Sequence, residues 1–422
     1  MNYMDVTLEK LQKAQNVFLT GGAGVGKTTM TRAVIAAFES EAKKVAKLAS
    51  TGMSATLIGG QTLHSFFDLG IAADIAALEQ NGKLNIKKRV KKLIVSMDLI
   101  VIDEISMVSA KLLELIELRL TQAGFQGVLL VVGDFLQLPP VVRGSQSVDY
   151  AFESVSWKNF AFETVELTHI YRTDDKEFIE LLHNIRFGFV NEAIHNQLNS
   201  FIKPLPNEKT HFTFLFGKNN SAAKHNRMQL AAMEGELFIK EVQILKHKKS
   251  VKEEEVTRFM KDAAIEEKLE LKIGAPVLFT RNSWNYFNGE RGVVVNIDSS
   301  YIYVQKGDGK VVKLEQVAHK KMEWVEQKRE TDSEFVEEER FTIYHYPVKL
   351  AFAITIHKSQ GMSIENLIIE TREIFAPSQF YVALSRSSNP KNLILIAPLR
   401  QWYELAYVHP KAMRFVQKES VC

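Results

Sequence analysis

Cysteine is almost missing from this 422-residue chain, and the single one, Cys422, is the last residue. An internal disulfide and a zinc site built on cysteines are both excluded, and a reducing compartment fits. No apolar run is long enough to span a bilayer. The opening stretch MNYMDVTLEKLQKAQ carries acidic and polar residues where a signal peptide has an apolar segment. These absences predict a soluble, cytoplasmic protein with no membrane contact, associated with the nucleoid if bacterial. An excess of one charge is also lacking, since 53 Lys and Arg meet 50 Asp and Glu for a net charge of +3. A surface for nucleic acid must then be local. The densest basic stretch, Lys87, Lys88, Arg89, Lys91 and Lys92, fits phosphate contacts or a solvated helix face. No internal repeat or low-complexity tract appears.

What is present is an ordinary globular composition, 46% hydrophobic and 24% charged, in a chain long enough for two or three domains. Short apolar runs at Asn16 to Thr20, Val45 to Ser50, Leu99 to Asp103 and Val128 to Asp134 read as strands. Thr28 to Phe38 and Ala110 to Leu120 show helical spacing between them. This alternation predicts an α/β fold with a mostly parallel sheet covered on both faces. A second such unit starts with a strand at Phe212 to Phe216 and a helix near Ala222 to Met233. It ends with strands near Leu367 to Glu370 and Asn392 to Ala397. Between them, residues 290–346 hold short β-rich runs around a Gly307-Asp308-Gly309 turn, read as a small β-barrel. The acidic stretch Glu334 to Glu339 is read as a solvated loop or hairpin. The expected domains are 1–160, then 161–289 with 347–422, with the barrel inserted.

Gly21-Gly22-Ala23-Gly24-Val25-Gly26-Lys27-Thr28 is a phosphate-loop pattern placed directly after a strand and before a helix, with Thr29 following. Glycines let successive backbone N–H groups turn toward phosphates, and the helix N-terminus adds its positive end. Lys27 is the candidate for the β and γ phosphates of ATP, and the Thr28 hydroxyl for Mg²⁺. The strand LIVIDE ends in Asp103, a second metal ligand, and Glu104, which would polarise the attacking water. Alone, such an acidic pair is more often a loop residue or helix cap, and it is the phosphate loop beside it that makes the signal strong. Gly133 to Pro140 ends in two prolines that stop regular structure, and its Gln137 is a candidate γ-phosphate sensor or else a solvated turn residue.

In the order of these motifs the chain resembles superfamily 1 helicases of the Pif (petite integration frequency) branch, related to the RecD group. The strings that carry the resemblance are Ala49 to Ala55, Thr62 to Phe66, Asp103 to Val108, Gly133 to Pro140, Leu167 to Arg172, Leu271 to Val277, Asn288 to Gly292, Ala353 to Gly361 and Gln379 to Arg386. It implies two RecA-like domains, an SH3-like barrel in the second, and a small wedge insertion at about 68–97 in the first. It also implies Arg386 as an arginine finger, Arg172 as a second phosphate contact, and Gln360 with Gly361 as a link between nucleotide and DNA. A planar guanidinium on a different domain from Lys27 suits a cleft that ATP closes and hydrolysis releases.

On the DNA side, Thr51, Gly52, Ser54, Thr62, His64 and Ser65 are small or polar residues suited to backbone phosphates and sugars. Phe66 is either a base-stacking ring or a core aromatic packed on Phe67. Thr355, His357 and Lys358 would be the matching contacts on the second domain. The implied protein is a monomeric ATP-dependent helicase moving 5′ to 3′ on single-stranded DNA and opening forked duplex in repair, recombination or replication. RNA–DNA hybrids and G-quadruplexes stay open as further substrates. The alternatives are a nucleotide-gated single-strand binder without strand separation, and a ring ATPase acting on protein. Two departures stand out. Upstream of the phosphate loop there is only a short leader with Gln12 and Gln15, and Ser50 and Thr173 replace a proline and a glutamine common in the family.

Overall fold

Short apolar runs rich in β-branched residues become strands buried on both faces. In the computed structural model, residues 3–51, 54–55, 58–70, 72–141, 147–206, 211–263, 265–328 and 333–419 are described. Gly52 and Cys422 lie outside them. The first lobe holds β1 (Val17–Gly21), β2 (Val45–Ala49), β3 (Gln61–Thr62), β4 (Leu99–Asp103), β5 (Val128–Val132) and β6 (Glu163–Leu167). Their order is β3-β2-β4-β5-β1-β6, and every pair is parallel. Side chains alternate across the sheet, as strand geometry requires. Leu99 and Val101 pack with Val34, Ile35 and Phe38 of helix Lys27–Ser40, whereas Ile100 and Ile102 pack with Leu112, Leu113 and Ile116 of helix Ala110–Ala123. Parallel pairing brings the C-terminal ends of β1, β2 and β4 to one edge, so the loops that carry the chemistry gather there.

The second lobe repeats the plan with four parallel strands in the order Ala353–Thr355, Thr213–Phe216, Leu367–Ile369, Leu393–Leu395. Its larger core also takes in Phe178, Leu181, Leu182 and Ile185 of helix Lys176–Arg186. The chain thus has the α/β architecture of two RecA-like domains.

The boundaries differ from those expected at three places, each for a long-range reason. Strand β6 pairs with β1, so the first lobe runs past residue 160 to Leu167. The C-terminal helix Pro410–Glu419 returns to the first lobe. Its Ala412 is fully buried there, and Phe415 stacks on Phe152 with ring centroids 4.3 Å apart. The barrel sheet is wider than 290–346, because Pro276–Phe279 pairs with Arg291–Ile297 on one side and with Val348–Leu350 on the other. The acidic stretch is one leg of a long hairpin, Val317–Lys328 with Ser333–His345, joined by Gln243–Lys246. This arm crosses to the first lobe, where Phe335 is buried in the core and Lys92 pairs with Glu326.

The expected wedge contains two short helices, Ile75–Gln80 and Lys88–Val95. Arg119, 1% exposed, fastens it by donating to the carbonyls of Phe67, Lys83 and Leu84. The basic run is partly used within the protein. Lys87 pairs with Asp68, and Arg89 donates to the Trp324 carbonyl of the arm.

Because Phe415 is half-buried against the first core, Phe415→Ala should cost about 2 kcal/mol, below the range for a fully buried ring. Thermal or denaturant unfolding followed by probes in each lobe checks this. The first-lobe transition should move down, and a shift confined to the second lobe would contradict the placement.

Candidate nucleotide and nucleic-acid site

The phosphate loop leaves β1 through Gly24 and Gly26, both in the left-handed region at φ +80 and +88. Gly24 has a second requirement, since a Cβ there would stand 2.9 Å from the Cβ of Arg172. Gly26 precedes the first turn of helix Lys27–Ser40, whose N-terminal N–H groups have no partner within the helix. The Lys27 ammonium folds back onto the loop and donates to the carbonyls of Gly21 and Gly22 at 2.8 and 2.9 Å. Burial lowers its pKa, opposed by Asp134, Glu104 and Asp103.

Asp103 ends β4 at 8% exposure and accepts the Glu104 N–H at 2.9 Å. Burial, and then the neighbouring Glu104, push its pKa up to about 7. Glu104 is half-buried and also raised, by burial foremost, while Lys27 and Arg386 pull it down. Its backbone is left-handed at φ 53, ψ 48, an unfavourable conformation for a side chain of this size. Two adjacent carboxyls, raised chiefly by burial, form a donor set that a divalent cation would complete. With the Thr28 hydroxyl the residues fit Mg²⁺, whose remaining ligands would be phosphate oxygens and water.

Gln137 is buried and donates to Asp134 at 3.3 Å, so it belongs to the site rather than to solvent. Asp134 is held by a residue that sequence reasoning missed. Arg186, from helix Lys176–Arg186, donates to both carboxylate oxygens at 3.1 Å. No local motif marks Arg186, because its role exists only once that helix packs against the sheet edge.

Arg386, from the second lobe, is 2% exposed, and Arg172, on the segment after β6 that lies against the phosphate loop, is half-buried. Neither has a carboxylate partner among the described residues. Arg386 donates to the Val382 and Ser359 carbonyls and the Ser385 hydroxyl, and Arg172 to Ser363 Oγ and the Ser385 carbonyl. Burial lowers both guanidinium pKa values, that of Arg386 to about 9 with Arg172 as the next cause, and that of Arg172 to about 10. Arg386 and Lys27 both lower the Glu104 pKa, and the helix just before Arg386 is joined to the phosphate loop where the Tyr381 hydroxyl accepts the Ala23 N–H at 2.8 Å. The reading of Arg386 as a surface ion pair is therefore not what the structure shows. Gln360 is buried with its Nε2 lacking a hydrogen-bond partner among the described residues. A buried donor of this kind is costly unless a ligand completes it.

Two tyrosines inside the quoted motifs were also passed over. The exposed ring of Tyr171 lies beside Gly26, and its N–H donates to the Gly24 carbonyl. Tyr381 is buried, and its hydroxyl accepts the Ala23 N–H at 2.8 Å. The signal was their adjacency to Arg172 and Arg386.

The DNA candidates divide. Ser65 is exposed, and Thr51, Thr62 and His64 are half-buried at the ends of β2 and β3, where Thr51 and the buried Ser54 share a hydrogen bond of 2.9 Å. Phe66 is 2% exposed and edge-on to Phe67, so the core alternative is the one realised, and it is withdrawn as a stacking ring. Thr355 is buried, while His357 is half-buried and Lys358 exposed. Between Gly59-Gly60 of the first lobe, Gln360 and Met362 of the second, and the barrel and arm lies a cavity of about 590 Å³. Its wall includes Arg281, His319, His345 and Lys349, the last lowered to about 7 by burial foremost.

Two RecA-like lobes, with a phosphate loop and acidic pair on one and the buried Arg386 on the other, define a nucleotide-hydrolysing motor. The PIF1-like helicase profile matches residues 4–196. The "ATP-dependent DNA helicase Pif1" of Campylobacter jejuni is 39% identical over 404 residues, covering 92% of this chain and 90% of that protein. The Bacteroides sp Pif1 structure in complex with ADP-AlF4 aligns with a TM-score of 0.83 at 26% identity, over 100% of this chain and 97% of that one. Bacteroides Pif1 bound to ssDNA aligns with a TM-score of 0.65 at 27% identity, over 99% and 96%. The chain belongs to the PIF1-like helicase family and is an ATP-dependent DNA helicase.

A raised Asp103 pKa has a defined effect on stability. The folded chain holds a proton there that the unfolded chain releases near the ordinary value of 3.8, so stability is lost as pH rises from 3.8 to about 7 and levels off above that. Asp103→Asn should therefore melt above the parent at pH 8, with the gap narrowing toward pH 5, while ATP hydrolysis falls about 100-fold or more. Paired melting curves at the two pH values check it, and a variant less stable than the parent at pH 8 would contradict the stated cause.

Proposed function

We propose that the chain translocates 5′ to 3′ along single-stranded DNA and opens forked duplex, driven by Mg²⁺-dependent ATP hydrolysis. The observation that carries this reading is the convergence of Lys27 and Glu104 of the first lobe, and Arg172 of the segment between the lobes, with Arg386 of the second. Only a closed cleft presents all four groups to one triphosphate. Glu104, made more basic by burial, takes the proton of the attacking water as its oxygen bonds the γ-phosphorus and the bond to the β–γ bridging oxygen breaks. Lys27, Arg172 and Arg386 receive the charge spread over the phosphoryl oxygens and the leaving ADP. Mg²⁺, held by Thr28 and through water by Asp103, would neutralise the β and γ oxygens. Gln137, tied to Asp134, registers the terminal phosphate. Tyr171 offers its exposed ring as a stacking face for the nucleotide base.

The polar loop residues Thr51, Ser54, Thr62, His64 and Ser65 grip the strand from the first lobe, and His357 and Lys358 from the second. Lys321 of the arm lies within 3.4 Å of Ser65 and extends this row. Two grips on two lobes that close and part with the nucleotide give stepwise movement. Gln360, beside both the cleft and the cavity, is the link between them. The ssDNA complex of the Bacteroides relative supports a single strand as the track, and polarity follows from the family resemblance. The work belongs with repair, recombination or replication, carried out by a monomer.

Single-stranded DNA should stimulate ATP hydrolysis, and Lys27→Ala should remove hydrolysis and unwinding together. A fork with only a 5′ tail should be opened and one with only a 3′ tail left intact. Stimulated hydrolysis with neither fork opened would instead establish a nucleotide-gated strand binder, and the reverse preference would overturn the polarity.

A further inference from the structure

The second lobe touches the phosphate loop by a route other than its arginines. Tyr381 lies on helix Gln379–Leu384, five residues before Arg386, and is 3% exposed. Its hydroxyl oxygen accepts the N–H of Ala23 at 2.8 Å, and a Cβ placed on Gly22 would stand 3.2 Å from that same oxygen. Phosphate-loop amides are the groups that receive phosphoryl oxygens, so a side chain from the other lobe is seated on ligand-binding backbone. As an acceptor from Ala23, the hydroxyl keeps its own proton, which has no acceptor among the described residues. The nearby carboxylate of Asp134 is already engaged, its two oxygens accepting from Leu136, Gln137 and both ends of the Arg186 fork. Burial, with Asp134 beside it, holds the phenol above its ordinary range, so it remains protonated at neutral pH.

A purely structural ring would not need this arrangement. Phenylalanine would fill the same volume, and the Ala23 amide would be free for a ligand. The helix that carries Tyr381 also begins at Ser378 in a left-handed backbone conformation, φ 60 and ψ 0, rare for a residue with a side chain.

We propose that Tyr381 is a positioning residue for phosphoryl transfer, its hydroxyl holding the Ala23 amide of the phosphate loop and presenting its proton to the terminal phosphoryl group. Loop and phosphate are then aligned only while the second lobe is seated, so lobe closure is read at the loop itself as well as by the arginines. This rests on the ATP-hydrolysis reading above. Turnover by the parent chain reports on that reading, whereas the ratio of variant to parent reports on Tyr381.

The test is Tyr381→Phe, which keeps the ring and removes the hydroxyl. Hydrolysis stimulated by single-stranded DNA should fall about 10- to 100-fold in kcat, with KM for ATP moved by no more than about threefold. Equilibrium binding gives a readout independent of turnover. Affinity for ADP should hold, while affinity for ADP with aluminium fluoride should fall by the same factor as kcat. A kcat within about twofold of the parent, or equal losses for ADP and its fluoride complex, would overturn the proposal. Gly22→Ala approaches the contact from the loop side. Its added methyl crowds the hydroxyl, so it should cost markedly less in the Tyr381→Phe background than in the parent, and additive losses would also count against the assignment.

Discussion

Positive charge drawn into a cleft without a hydrogen-bonded carboxylate to answer it is the constraint on which this molecule turns. Lys27, Arg172 and Arg386 are drawn together at one cleft. Arg172 and Arg386 are satisfied only by carbonyls and hydroxyls, and the Lys27 ammonium is folded onto its own loop. Hydrogen bonds to neutral oxygens keep these groups ordered, but burial still lowers the pKa of each. A triphosphate supplies the missing negative charge in a site where screening is weak. The same logic, with signs reversed, applies to Asp103 and Glu104, whose carboxyls are raised until a cation arrives.

The fold exists to hold these two unsatisfied sets on separate bodies. Parallel sheets place their loops at one edge, and the second lobe's helix Gln379–Leu384 is driven against the phosphate loop by its own packing, with all six residues buried. Arg186 makes the join rigid at one point by locking Asp134, the carboxylate to which the sensor Gln137 is tied. Movement between the lobes would then be felt at once by Ser359 and Gln360, which adjoin Arg386 on one side and the cavity under the barrel on the other.

Much of this was legible in the residues. The phosphate loop, the acidic pair at the end of β4 and the prolines after Gln137 have local causes, and strand and helix runs matched their apolar periods to within a few residues. What escaped was non-local. The return of Phe415 to the first core, the pairing of β6 with β1 and the membership of Pro276–Phe279 in the barrel sheet depend on contacts between residues far apart in the chain. Arg186 had no signal at all, since a single arginine at the end of an amphipathic helix reads as a solvated charge. Phe66 shows the opposite limit: its position beside a polar loop was compatible with stacking or with the core, and only packing decides.

The most direct measurement is a crystal structure of this chain with Mg²⁺ and ADP–aluminium fluoride. Lys27 should leave the Gly21 and Gly22 carbonyls, and Arg386 the Val382 and Ser359 carbonyls, with both hydrogen-bonded to the same fluoride group. An Arg386 still resting on those carbonyls, while the fluoride is met by the first lobe alone, would contradict the account.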